Sequence, residues 1–154
     1  MDAPTRSAQC SAGDAWLASC SSRPELVWQV WDMGGLAPIA SGSRWLAAEA
    51  SLTVALNALQ RIPPRHRGPL LADASLQCAW WLVAADAAEE LADVRSLTVH
   101  PPGWTLQTPS TSYPIAGRFW LQLPDGTGRL TEAARLGAAL GPGGGPRLPA
   151  EAFG

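Results

Sequence analysis

Asp73 closes the apolar run Gly68-Pro69-Leu70-Leu71-Ala72-Asp73, and Glu49 closes the run that begins at Arg44. Two carboxylates meeting at strand ends could hold a hard divalent cation, which takes oxygen ligands. Turn chemistry alone also explains an acid in each place, and the sequence favours that simpler origin. His66 and His100 could form an acid–base pair. Each lies beside Pro in a loop-like stretch with no partner acid close in sequence, so both read as surface histidines. Covalent catalysis lacks its usual marks. There is no Gly-x-Ser-x-Gly, and Cys78 sits between Gln77 and Ala79 with nothing to depress its pKa. All 11 basic residues are Arg, so a phosphate loop ending in Gly-Lys-Ser/Thr is excluded. No complete catalytic or metal-binding set emerges and no cofactor is implied. The expectation is a non-enzymatic protein.

Binding chemistry is better represented. Arg61, Arg65, His66 and Arg67 form a basic cluster around Pro63-Pro64. They could contact phosphate or an acidic partner, or they could be cations answering the negative end of a helix dipole. The chain has 8 Trp and only 2 Phe. Either Trp fills the core, or some indoles are exposed, as at interfaces. Trp28 and Trp120 are the candidates for exposed contact residues, with Arg61, Arg65 and Arg67 beside them as candidate binding cations; Trp104 is a further indole that could be exposed.

Composition narrows the class. A chain of 154 residues is one domain's worth and can bury a core without staples. With 47% hydrophobic and 16% charged residues it is globular and lightly charged. Ala, Gly, Pro and Arg are plentiful, as a GC-rich coding sequence produces, which accounts for the missing Lys. A net charge of -2 disfavours non-specific nucleic-acid binding, leaving only a local basic patch for that purpose. Cys10, Cys20 and Cys78 lack metal-pair spacing and read as reduced thiols. The start Met1-Asp2-Ala3-Pro4 has no signal-peptide pattern, and no run approaches about 18 apolar residues. A cytoplasmic protein without a membrane span is expected.

The elements that must position these residues centre on a hairpin, Gly68 to Ala85. Its arms, 68–73 and 78–84, are near-continuous apolar runs, so both should be strands buried on two faces. Trp80 and Trp81 should point to opposite sides. Residues 1–13 are expected as a loose arm, and Asp14 as the cap of a short helix to Ser21. Ser22 before Arg23-Pro24-Glu25 marks a second helix, ended by Gly34-Gly35. Residues 36–40 and 44–48 should pair as a hairpin about Ser41-Gly42-Ser43. A helix over 51–62 stops at Pro63-Pro64. A short helix over 86–93, strands over 96–100 and 104–107, and a surface loop over 108–117 follow. Residues 118–123 should be a strand with Phe119, Leu121 and Leu123 on one face and Trp120 on the other. Thr131 should cap a last helix to Leu140, and 141–154 reads as a disordered Gly/Pro tail. The sum is one α+β domain over 14–140, a mainly antiparallel sheet with helices packed on it.

Several stretches resemble a group of small actinobacterial proteins. They are Ser41-Gly42-Ser43-Arg44-Trp45, Arg67-Gly68-Pro69-Leu70-Leu71-Ala72-Asp73, Ala79-Trp80-Trp81-Leu82-Val83, His100-Pro101-Pro102, and the run from Phe119 through Pro124-Asp125-Gly126-Thr127-Gly128 to Thr131. The likeness spans about Trp28 to Leu140. Some of that group are described as similar to the N-terminal domain of bifunctional DNA primase/polymerases, which implies a primase-like scaffold. It does not imply the activity. Polymerising members need a close pair of acids on a strand, and this chain has none on an expected strand, with Leu46 where the group often has Asp. The function expected is a binding module contacting a protein partner. The alternative is a nucleic-acid-binding relic of the primase-like domain, which the charge disfavours.

Overall fold

A computed structural model describes residues 6–141, with side chains from residue 11 onward. Five antiparallel strands form the central sheet in the order β5-β2-β4-β3-β7. They are β2 (Leu46–Ser51), β3 (Leu70–Asp73), β4 (Cys78–Val83), β5 (Thr98–Val99) and β7 (Arg118–Gln122). The hairpin β3–β4 lies at its centre, and every residue from Ala79 to Val83 is buried. This is why both arms are continuously apolar rather than alternating. Trp81 enters one core with Leu46, Leu70 and Val83, and Trp80 enters the other with Ala47, Leu71 and Leu82.

Helices cover the Trp81 face. They are α3 (Leu52–Gln60), α4 (Ala87–Glu90) and α5 (Ala133–Leu140), which contribute Ala55, Ala58, Ala87, Leu136 and Ala139. Ser51 caps α3 by accepting a hydrogen bond from the Val54 N–H at 3.3 Å. The Trp80 face is covered by α1 (Arg6–Ser19), α2 (Pro24–Asp32) and a separate two-stranded ribbon of β1 (Ala37–Ala40) and β6 (Thr105–Thr108). The molecule is thus an α+β fold of three layers, with no closed barrel. Among the described residues no helix is long and apolar enough to cross a membrane.

Four expectations change. The segment expected as a loose arm is helical from Arg6, so Asp14 lies inside α1 rather than at its cap. Docking stabilises this helix: the Asp14 carboxylate, buried, accepts from the Ser110 hydroxyl and the Thr111 N–H, each at 2.7 Å. Small residues permit the approach, since a Cβ at Gly13 would collide with the Pro124 carbonyl. The expected β1–β2 hairpin does not form. The Gly42 N–H does bond the Trp45 carbonyl at 2.8 Å, but β1 pairs with β6 while β2 pairs with β4 and β5. The start of the 108–117 loop is buried rather than superficial, because residues 108–111 supply polar partners to Trp31, Trp120, Ala37 and Asp14. Finally, neither Ser22 nor Thr131 caps a helix. The Thr131 hydroxyl instead accepts from the buried Gly68 N–H at 2.8 Å. The tail beyond 141 and residues 1–5 lie outside the described residues.

Candidate functional site

The basic cluster divides in two. Arg61 and Arg67 are spent on the fold. Arg61 Nη1 donates to the Ala139 carbonyl at 3.1 Å, tying α3 to α5, and Arg67 Nε donates to the Ile62 carbonyl at 2.7 Å. The second bond is a cation satisfying a carbonyl just past a helix end, one of the two origins the sequence allowed. Arg65 is exposed. Its Nε donates to His66 Nε2 at 3.1 Å and its carbonyl accepts from Arg129 Nη1 at 2.9 Å. The chain return adds Arg129 and Arg135 to this cluster. The His66 pKa lies below its ordinary value, through burial first, then Arg135 and Arg65, against Glu132, with Arg129 adding to the depression. Glu132 is the counter-charge, 3.8 Å from His66 Nδ1 and 3.9 Å from Arg135 Nε.

The two candidate indoles also part. Trp120 is half-buried against the Trp80-side core, and its Nε1 already donates to the Pro109 carbonyl at 3.1 Å. Its neighbours Phe119 and Leu121 pack on the opposite core, as the alternation predicts. Trp28 remains 39% exposed. It meets Trp31 edge-on, with ring centroids 5.5 Å apart. Trp31 itself is buried and anchored by its Nε1 to the Thr108 carbonyl at 3.0 Å. Met33, 84% exposed, caps the end of α2 two residues later, and Tyr113, 45% exposed, donates its hydroxyl to the Trp31 carbonyl at 2.8 Å. Three of the five large apolar side chains left exposed among the described residues therefore belong to α2, its cap and the loop residue bonded to it. A wedge of apolar side chains on a rigid anchor is suited to contact with another apolar surface.

A third constellation spans the Trp80 face of the sheet. Glu49 stands opposite Trp80 in the β2–β4 pairing, and its Oε1 accepts from Trp80 Nε1 at 2.8 Å. His100 Nε2 lies 3.0 Å from the same oxygen. An ionised carboxylate only accepts, so opposite it the hydrogen of this contact is carried by Nε2. The His100 ring stacks on Trp104 at 3.9 Å and 4°. Arg118 lies over the Trp80 ring at 4.6 Å and bonds Asp73 Oδ2 at 2.8 Å. Asp73 Oδ1 closes the β3–β4 turn by accepting from Ser75 N, Ser75 Oγ and Leu76 N at 2.7–2.9 Å. Burial pushes the Asp73 carboxyl up, but the bonds from Leu76, Ser75 and Arg118 outweigh it and hold its pKa low.

This layout answers the two-acid question. Asp73 and Glu49 lie on strands separated by β4, each engaged by other groups. Among the described residues no group of three or more His, Cys, Asp or Glu could hold a metal ion. Cys78 is a free thiol raised by burial and by the nearby Glu49 and Asp73 charges, with Arg118 opposing, so it is poorly suited as a nucleophile. The arrangement orients one imidazole and binds it to an aromatic row, without a nucleophile or metal set around it.

Sequence reasoning missed the His100–Glu49 pair because the partners are 51 residues apart. One signal was available: the period of 2 puts Ala47, Glu49 and Ser51 on one face of β2. No family model matches this chain, and no curated protein and no solved structure matches it either.

Proposed function

We propose that this chain is a non-enzymatic binding module whose contact surface for a protein partner is the Trp28–Met33–Tyr113 wedge. One observation carries the proposal: the exposed Trp28 meets the buried, hydrogen-bonded Trp31 edge-on, the exposed Met33 caps the same helix, and the exposed Tyr113 bonds the Trp31 carbonyl. Interfaces of stable complexes place aromatic and Met side chains at their centre, ringed by polar residues. Arg65, with Arg129 and Arg135, supplies a second, cationic surface able to favour an acidic partner. Trp120, Arg61 and Arg67 are left out of the contact set because their polar groups already serve the fold. Capture from an extract of the native cell tests the proposal, with the parent chain and a Trp28→Ser/Met33→Ser variant as baits. A set of proteins retained by the parent and lost by the variant is expected; equal retention would remove the wedge from consideration.

A second reading, contact with single-stranded nucleic acid, is favoured by the parallel His100–Trp104 stack beside Trp80 and Arg118. Aromatic rows near a guanidinium are how such strands are commonly held. Binding of this kind should weaken steeply with salt, and a flat salt response rules it out.

A further inference from the structure

A cleft of about 640 Å³ opens between the end of α1, the start of α2 and the turn joining β1 to β2. This volume lies in the range of small-molecule sites, roughly 300–1,000 Å³. Its charge is one-sided. Arg23 and Arg44 line it, and no Asp or Glu does. Arg44 Nη1 donates to the Ser19 hydroxyl at 2.8 Å, which fixes the guanidinium at the rim. The Arg23 guanidinium has no hydrogen bond or ion pair among the described residues, and the Arg23 backbone N–H is held by the Ser21 hydroxyl at 3.0 Å. Ser22, Ser43 and Thr105 also line this space, with the Ser43 hydroxyl donating to the Cys20 carbonyl at 3.4 Å. The apolar part of the lining comes from Leu26, Pro38 and Ala40. Cys20 adds no negative charge, since burial first pushes its thiol up, against weaker opposing contacts from Trp45, Arg44 and Ser19.

We propose that this cleft binds a small organic phosphate monoester, with Arg23 and Arg44 on the phosphoryl oxygens and the organic part against Leu26, Pro38 and Ala40. Two guanidiniums supply N–H donors in surplus, which a group of several acceptor oxygens and no donor at full ionisation answers. Guanidinium forks match phosphate geometry and remain charged at any working pH. A carboxylate has fewer oxygens for these donors, and a neutral sugar would leave both cations unpaired. The site is separate from the Trp28 wedge and does not depend on partner binding.

Calorimetric titration of the full chain at low salt tests it, with triose, pentose and hexose monophosphates, the unphosphorylated pentose, and inorganic phosphate as probes. At least one ester should bind saturably at one per chain, at least tenfold more tightly than inorganic phosphate, and the free pentose should not bind. Arg23→Gln and Arg44→Gln should each weaken the ester by about tenfold or more, the scale of a charge-assisted hydrogen bond. The Arg23 side chain is exposed and has no partner among the described residues, so its replacement leaves the fold intact, which an unchanged unfolding midpoint confirms. Failure of every ester to bind overturns the proposal. Undiminished binding by the double variant, or equal affinity for inorganic phosphate, overturns it too.

Discussion

Asp73 ties the turn of the central hairpin to Arg118 on β7. It is buried, closes the central hairpin with three bonds on one oxygen, and holds Arg118 with the other. Asp73→Ala leaves the Arg118 guanidinium, itself little exposed, without its counter-charge. Losing charge-assisted hydrogen bonds of a part-buried pair costs roughly 1.5–3 kcal/mol, which urea unfolding at neutral pH should show. The sign with pH follows from the depressed pKa. The stabilisation is complete above the unfolded carboxyl value of about 3.9 and is lost as pH falls through the lower folded value. Asp73→Asn should therefore flatten the acid limb of the stability profile; an unchanged limb would assign it to other carboxylates. His100 gives a second test at this scale. Its Nε2 proton is held by Glu49, so ring nitrogen shifts should report the Nε2–H tautomer whenever the ring is neutral, and Glu49→Ala should remove that bias. A neutral Nδ1–H form in the parent contradicts the pairing. Asp73 was legible in the sequence as a turn acid. Its ion pair with Arg118, 45 residues away, was not, because only β3–β7 pairing brings the two together.

Among elements, those defined by local pattern were legible and those defined by pairing were not. The β3–β4 hairpin, the helix α3 before Pro63-Pro64 and the faces of β7 follow from apolar runs, helical spacing and the period of 2. The second half of helix α1 was expected from Asp14 onward, but its first half was missed because residues 6–13 are small and polar and the helix is held by docking on residues 110–111 and Pro124 rather than by its own pattern. The β1–β2 hairpin was wrongly expected because a Ser-Gly-Ser turn indicates a reversal without saying which strand each arm joins. The same turn here hands the chain from one sheet to another. Gly68 shows how tightly the elements meet. A Cβ there would run into the backbone of Leu130 and Thr131, while its N–H bonds the Thr131 hydroxyl. Gly68→Ala must push β3 and the 130–131 segment apart, which should cost about 1–3 kcal/mol by denaturant unfolding. A loss under 0.5 kcal/mol would show that the two segments separate easily.

At the scale of the molecule, the sheet is covered on both faces, so function has to reside on what the covering layers leave outward. The broad α+β, mainly antiparallel class was legible from the order of runs, and Trp28 was legible as an exposed indole. Its companions were not: Met33 follows α2 in sequence, but Tyr113 arrives from a loop 82 residues beyond Trp31. Replacing Trp28 and Met33 removes contact area from an exposed surface and an edge contact worth about 0.5–1.5 kcal/mol, so the variant should still unfold cooperatively. The most direct measurement is quantitative capture from native extract with the parent and Trp28→Ser/Met33→Ser baits, both verified as folded. The binding-module account predicts one or more proteins retained by the parent and depleted at least tenfold on the variant. An identical retained set on both baits would contradict it.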